Sequence, residues 1–343
     1  MSKFKVVILS LSVSVVAGFF ARLINLPLPW MLGPLIVTMV ISLWGVKLII
    51  PTSLRKSSRL MIGVILGATV TMETLHRILD WPISLSMLLA GVLIITLVCS
   101  LYLYRVAGYD RITSLSASLP GAISTIPMIA IELGADPRRV ILPHLLRVTL
   151  IVMFVPFVFS WWQGISLVSL GGEEVAFDWW GENLWVLLVA LPVWWAASKF
   201  RLPIPELTGP MLAAVLCSLL GYRLLLPDWL FAATFLVLGA GIGIRFFGMT
   251  LSHLANNSRH AFVCTLITLA ITLLIAWAIC HLTSFEFHVI LLAIMPGGIA
   301  EMTMLATVLG VDPVFVAFHQ IFRSMLLNLM SPYVISRFGS KDK

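Results

Sequence analysis

Leu119-Pro120-Gly121-Ala122-Ile123-Ser124-Thr125 and Met295-Pro296-Gly297-Gly298-Ile299-Ala300-Glu301 decide the reading of this chain. Each stretch lies inside a long apolar run. Proline removes a backbone donor and glycine loosens the chain, so a helix opens or starts at each Pro-Gly step. In lipid, irregular backbone survives only where protein buries it or where it lines a wet cavity. Small polar or acidic residues follow both breaks. The pattern predicts two broken or re-entrant elements meeting at a polar site.

Composition places those runs in a membrane. Of 343 residues, 60% are hydrophobic and 11% charged, where a soluble domain carries about 25% charged residues. Mean hydropathy is +1.06. The chain reads as an all-α polytopic membrane protein. A net charge of +7 would point a soluble protein toward nucleic acid. Here the basic residues fall between apolar runs and follow the positive-inside rule, so no nucleic-acid partner is expected. Cys99, Cys217, Cys264 and Cys280 sit within apolar runs without Cys-x-x-Cys spacing. They read as small buried hydrophobes. The N-terminal apolar run to Phe20 has no small-x-small cleavage site and is expected to be retained.

The chain repeats itself at a displacement of 176 positions, without a gap. Leu26-Pro27-Leu28-Pro29 falls on Leu202-Pro203-Ile204-Pro205, and Gly33-Pro34 on Gly209-Pro210. Gly63 and Gly67 fall on Gly239 and Gly243, and Pro120-Gly121 on Pro296-Gly297. Asp136-Pro137 falls on Asp312-Pro313, and Arg147 on Arg323. The expected organisation is a first membrane repeat over 1–160, an acidic, Trp-rich periplasmic linker over 161–182 and a second membrane repeat over 183–343. Apolar segments are expected at 5–23, 30–49, 59–76, 83–104, 113–133 and 138–160. Those of the second copy are at 183–199, 206–225, 230–250, 260–282, 288–309 and 314–337. Most approach the ~20 residues that span a bilayer.

Charge divides the copies. The stretch 51–59 holds Arg55, Lys56 and Arg59, while its counterpart 227–235 holds only Asp228. Arg105 and Arg111 are matched by Glu286 and no base. The C-terminal Arg337, Lys341 and Lys343 are matched by the acidic linker, which carries Glu173, Glu174, Asp178 and Glu182. A basic side that alternates between copies means opposite orientation by the positive-inside rule. Arg22 is the exception, since it would face outward. Opposite orientation needs an odd number of crossings per copy. The expectation is two inverted-topology repeats of about five crossings, each with one re-entrant or broken segment. The segment at 113–133, with Arg105 and Arg111 before it and Arg138 and Arg139 after, dips and returns on this reading. Alternatively it crosses as a broken helix and the re-entrant piece lies at Leu26–Pro34. Paired breaks in inverted repeats are the architecture of secondary transporters.

Several residues could carry a site. Glu301 follows the second break inside an apolar run, where charge is costly. It holds Na⁺ or a proton, or pairs with an arginine. Its repeat partner is Thr125. Arg147 and Arg323 occupy equivalent mid-helix places; they bind an anion, neutralise Glu301, or snorkel. His144, His319 and Gln320 lie within a turn of these arginines, and Asn328 is a further polar residue in the last run; these four are secondary candidates. Ser124 and Thr125, with amides freed at Pro120 and Gly121, suit an anion at a helix start, or bond back onto their own helix. Pro296, Gly297 and Gly298 form the opposite break. Asp136-Pro137 and Asp312-Pro313 read as structural: glycine ends one helix, and aspartate caps the next. Glu206 and Arg245 have no charged equivalents in the first copy.

These residues carry a family resemblance. Paired Pro-Gly turns, Leu-Pro-x-Pro…Gly-Pro stretches and Gly-x-Asp-Pro turns followed by Arg resemble the AbrB family of bacterial multi-pass inner-membrane proteins. Pro120, Gly121, Asp136 and Arg147 match in the first copy. Pro296, Gly297, Gly298, Asp312 and Arg323 match in the second. The first copy reads Pro-Gly-Ala, which implies a tighter turn. The likeness covers nearly the whole chain and is unrelated to the small DNA-binding regulators of the same name. Family labels include regulator and ammonia monooxygenase. They imply a multi-pass protein of the bacterial inner membrane, with both termini expected in the cytoplasm.

The functional expectation is a secondary transporter of a small, anionic solute, coupled to H⁺ or Na⁺, rather than an enzyme. The alternative is an inner-membrane regulator of gene expression that acts through a partner and moves no solute. A membrane oxidase needs converging metal ligands, and His76, His144, His253, His260, His281, His288 and His319 show no tight cluster. No cofactor and no resident metal are expected. The expected partners are the bilayer, the solute and the coupling ion, with a homodimer left open.

Overall fold

Apolar runs bounded by Pro, Gly and Asp become helices, which satisfy every backbone group within the segment as a bilayer would require. The computed structural model describes residues 3–72, 78–121, 125–163, 185–222, 227–249 and 251–339. Most of the acidic linker, the C-terminal lysines and Ser124 lie outside the described residues. Among the described residues there are helices and no strand.

In the first copy the helices are α1 (Lys3–Leu23), α2 (Pro29–Leu43), α3 (Thr52–Ala68), α4 (Trp81–Arg105), α5 (Arg111–Ser118), α6 (Thr125–Glu132) and α7 (Pro137–Gln163). In the second they are α8 (Trp185–Lys199), α9 (Pro205–Leu219), α10 (Asp228–Gly243), α11 (Leu251–Leu282), α12 (Phe287–Ile294), α13 (Ile299–Val308) and α14 (Pro313–Gly339). The bounds of α2 and α9, of α5 and α12, and of α7 and α14 each differ by 176 at both ends. Six helical stretches among the described residues are long and apolar enough to cross a bilayer: α1, α4 with the turn before it (Ile78–Arg105), α7, α10 with the turn after it (Asp228–Phe246), α11 and α14. Shorter apolar helices accompany them at α2, α8, α9 and α13.

Several expected bounds change: in the second copy the segment expected at 206–225 ends at Leu219, and the one expected at 260–282 starts at Leu251. The segment expected at 30–49 stops at Leu43, because Gly45 turns left-handed at φ 83°. The segment expected at 59–76 starts at Thr52 and ends at Ala68, so Arg55, Lys56 and Arg59 stand on α3 rather than in a loop.

The helices gather into two compact units, each built from both copies. The first comprises Met1–His76, Met153–Thr250 and Thr303–Val314. In it α3 lies against α9, α2 against α10, α1 against α2, and α8 against α9. The turns before α2 and α9 are strained alike. Asn25 and Leu28 have φ 55° and 46°, and Arg201 and Ile204 have φ 54° and 49°. Left-handed backbone costs a bulky residue about 1–2 kcal/mol. A residue before proline is kept out of the right-handed helical region, and here Leu28 and Ile204 take the left-handed region rather than the extended one.

The helix contacts in this unit are reciprocal. A Cβ added at Gly63 would strike the Leu207 carbonyl, and one at Gly239 would strike that of Met31. Likewise Gly67 abuts Met211 and Gly243 abuts Leu35. Met31 and Leu35 are the repeat equivalents of Leu207 and Met211. Small-xxx-small spacing lets helix backbones close on each other where lipid supplies no hydrophobic drive. Glu206, in the first turn of α9, lies 3.7 Å from Lys56 Nζ.

The second unit comprises Arg77–Val152, Leu251–Met302 and Phe315–Lys343. It holds both Pro-Gly breaks. Here α4 runs against α11, with the half-helices α5 and α12 beside them.

Candidate functional site

Both breaks have one geometry. Asp110 opens α5 by accepting from the Thr113 amide at 2.9 Å. The helix ends at Leu119, φ −60° and ψ 121°. α12 ends at Met295, φ −60° and ψ 130°. The proline that follows each forces this extended conformation. The Gly121 amide then returns to the Leu119 carbonyl at 2.9 Å, and the Gly297 amide to that of Met295 at 2.8 Å. The expected breaks are therefore present; the expected tighter first turn falls on Ala122, which lies outside the described residues.

A helix end leaves its last four carbonyls without intrahelical donors. In both copies two side chains on the last helix meet this need. Gln320 Nε2 donates to the carbonyls of Leu292, Ala293 and Met295 at 3.0, 3.2 and 2.9 Å. Arg323 Nη1 donates to Met295 and Ile294 at 2.8 and 3.3 Å, and Nη2 to Gly297 at 3.1 Å. Nη2 also donates to Gln320 Oε1 at 2.6 Å. In the first copy His144 Nε2 meets the Ser116 carbonyl at 2.9 Å. Arg147 Nη2 reaches the Leu119 carbonyl at 3.5 Å and His144 Nδ1 at 3.1 Å. Arg147 donates to Nδ1, so the His144 proton sits on Nε2 and points at Ser116. Neutral His144 thus plays the part that the amide of Gln320 plays in the other copy.

These arginines neither snorkel nor neutralise Glu301. Both are 4% exposed. A buried cation costs several kcal/mol to desolvate, and each bond to it returns roughly 1.5–3 kcal/mol. Among the described residues no carboxylate pairs with either one. Their Nε atoms are buried without a partner among the described residues.

Each arginine borders a cavity, and the two cavities are repeat equivalents. Beside Arg323 the lining includes Pro120, Pro296, Leu88, Ile275, Ile294 and Thr272. Its volume is about 10 Å³, roughly the space of one water. Beside Arg147 lie Cys99, Cys264, Ser118, Thr265, Thr268 and Pro143, with no room for a water.

Glu301, in the first turn of α13, is 9% exposed and has no hydrogen-bond or ion-pair partner among the described residues. Its carboxylate folds back over Gly298, where an added Cβ would collide with it. Gly297 is covered by Met302. α6 starts at Thr125, whose side chain lies outside the described residues, as does Ser124.

The remaining secondary candidates stand apart from the breaks. His319 Nδ1 donates to the Phe315 carbonyl at 2.8 Å, and Nε2 faces Ser84 Oγ at 2.8 Å. Its ring packs among Trp81, Phe315 and Phe318. Asn328 Oδ1 is buried without a partner among the described residues. The aspartate caps hold as expected: Asp136 Oδ1 accepts from the Arg138 amide and Asp312 Oδ1 from that of Val314, both at 3.0 Å. Gly134 and Gly310 are left-handed, φ 94° and 65°. Outside the spans, burial pushes the Tyr109 phenol up, against the pull of Arg139 stacked 4.8 Å over its ring.

The family model described as "Transition state regulatory protein AbrB" matches residues 30–339. The chain belongs to the AbrB family. Two AbrB-like relatives align over most of its length. One is "Uncharacterized protein YhjN" of Bacillus subtilis (strain 168), 26% identical over 94% of this chain and 90% of its own. The other is "Putative regulator AbrB" of Escherichia coli (strain K12), 28% identical over 97% of this chain and 95% of its own. The family match spans both Pro-Gly breaks and both arginine caps, so the doubled site lies inside the region that defines an AbrB-family chain.

Proposed function

We propose that this AbrB-family protein is a secondary transporter of a small anionic solute in the bacterial inner membrane, driven by H⁺ or Na⁺. On this reading the two copies have inverted topology, the termini are cytoplasmic, and the protein carries its solute without chemical change. The observation that carries the proposal is a buried excess of positive charge. Arg147 and Arg323 stand at two helix breaks with no carboxylate partner among the described residues. Buried charge of this kind is costly unless a ligand completes it, and paired breaks are where transporters of this architecture bind. Glu301, partnerless among the described residues beside Gly298, supplies the complementary place for the coupling cation. The Arg323 cavity has the volume of a water, so loading requires it to open.

A melting screen of the purified protein against small organic acids and amino acids, with and without Na⁺, tests this. A stabilising anion whose effect grows with Na⁺ or falls on Arg323→Lys supports it, because a ligand that binds the fold raises its stability by mass action. No stabilisation by any anion tells against it.

The name of the Escherichia coli relative favours a second reading, regulation through a partner. Co-purification of a stoichiometric protein partner, with no ligand response, would turn the case that way.

A further inference from the structure

The two repeat-equivalent cavities differ in chemistry. Where the Arg323 cavity presents Leu88 and Ile275, the Arg147 cavity presents Cys264 and Cys99. These are the same positions in the 176-residue repeat. Aliphatic side chains therefore fill this crossing adequately, and thiols are not a packing requirement.

The two cysteines, 165 residues apart in sequence, meet where α4 crosses α11. Cys99 Sγ lies 3.6 Å from the Cys264 carbonyl and 3.6 Å from Thr268 Oγ1. Both residues are buried and line the same cavity beside Arg147. Thr265 directs its own proton to the Ala261 carbonyl at 2.9 Å, so its lone pairs are what it can offer the cavity.

We propose that Cys99 and Cys264 form a two-coordinate site for a soft monovalent cation of the Cu(I) or Ag(I) class. Thiolates are the ligands such ions select. The donor set suits no harder ion: among the described residues no three His, Cys, Asp or Glu side chains converge. A linear two-coordinate ion needs no third ligand and no water; the space beside Arg147 has no room for a water, so the two sulfurs part to admit the ion in place of their protons. Charge also fits. Two thiols release two protons and take up one monovalent cation, leaving a complex of charge −1 beside the Arg147 guanidinium, which has no carboxylate partner among the described residues. The second copy, with Leu88 and Ile275, cannot bind in this way. The site does not require the transport reading, although an occupied site would offset the Arg147 charge on which that reading draws.

The test uses full-length protein carrying Cys217→Ser and Cys280→Ser, reduced, anaerobic and free of chloride, titrated with Ag(I). The expected result is one ion per chain after gel filtration, two protons released per ion and a higher melting temperature. Cys99→Ser and Cys264→Ser should each abolish retention. The double variant Cys99→Ile, Cys264→Leu copies the other crossing; it should melt like the metal-free parent and retain no ion. Independent binding at each thiol, with either single variant keeping its own ion, overturns the proposal. So does failure to retain Ag(I) while both thiols remain alkylatable, or a Cys99–Cys264 disulfide as the state in which the protein is isolated.

Discussion

Arg323 donates to Gln320 Oε1 at 2.6 Å, three residues back on the same helix, and together they close the open end of α12. Arg147 and His144 repeat the arrangement at α5 with a 3.1 Å bond. An imidazole and an amide therefore do one job in two copies. His144→Gln should leave thermal stability and any ligand response close to the parent. His144→Ala strands the Ser116 carbonyl and removes a partner of Arg147, a cost of about 1–3 kcal/mol. Melting curves in detergent distinguish them; equal losses for Gln and Ala would refute the equivalence.

The two arginines are not bound equally. Arg323 reaches three carbonyls and Gln320 at 2.6–3.3 Å, whereas Arg147 makes bonds of 3.1 and 3.5 Å. Lysine keeps the charge and loses the fork. Arg323→Lys should forfeit at least two bonds, about 3 kcal/mol or more, and Arg147→Lys clearly less. A larger loss at Arg147 would contradict this ranking.

Reciprocity in the first unit makes a paired prediction. Gly63→Ala and Gly239→Ala each drive a methyl into a helix backbone and should each cost about 1–3 kcal/mol. At Gly241 the only close atom among the described residues is Arg55 Cδ, 3.9 Å away, so Gly241→Ala should be mild. Unequal effects at 63 and 239 would sink the idea that the two contacts are equivalent.

Much of this was legible in sequence because a duplication at fixed offset marks equivalent positions without coordinates. The helix breaks at Pro120 and Pro296 and the caps at Asp136 and Asp312 follow from local backbone chemistry, which proline, glycine and aspartate advertise. The arginine pair was visible too, but its partners were not. Leu119, Met295 and Gly297 act through backbone carbonyls, and a carbonyl has no letter in the sequence. Nor could spacing reveal that Cys99 meets Cys264, a contact made only by the crossing of two distant helices. The helix bounds erred where a single glycine, Gly45, outweighed an apolar run.

Gly298 sits under the Glu301 carboxylate. Gly298→Ala should displace that carboxylate and weaken cation dependence while sparing the arginine caps. Ion-dependent stabilisation by the anion found in the melting screen is the readout; unchanged dependence would remove Glu301 from the coupling site.

Uptake of that anion into proteoliposomes under an imposed Na⁺ or H⁺ gradient tests the central claim most directly, with Glu301→Gln and Arg323→Lys alongside the parent. The account predicts gradient-driven accumulation by the parent, uptake uncoupled from the gradient in Glu301→Gln, and loss of uptake in Arg323→Lys. Parent vesicles that accumulate nothing, or accumulation unaltered by both substitutions, would contradict it.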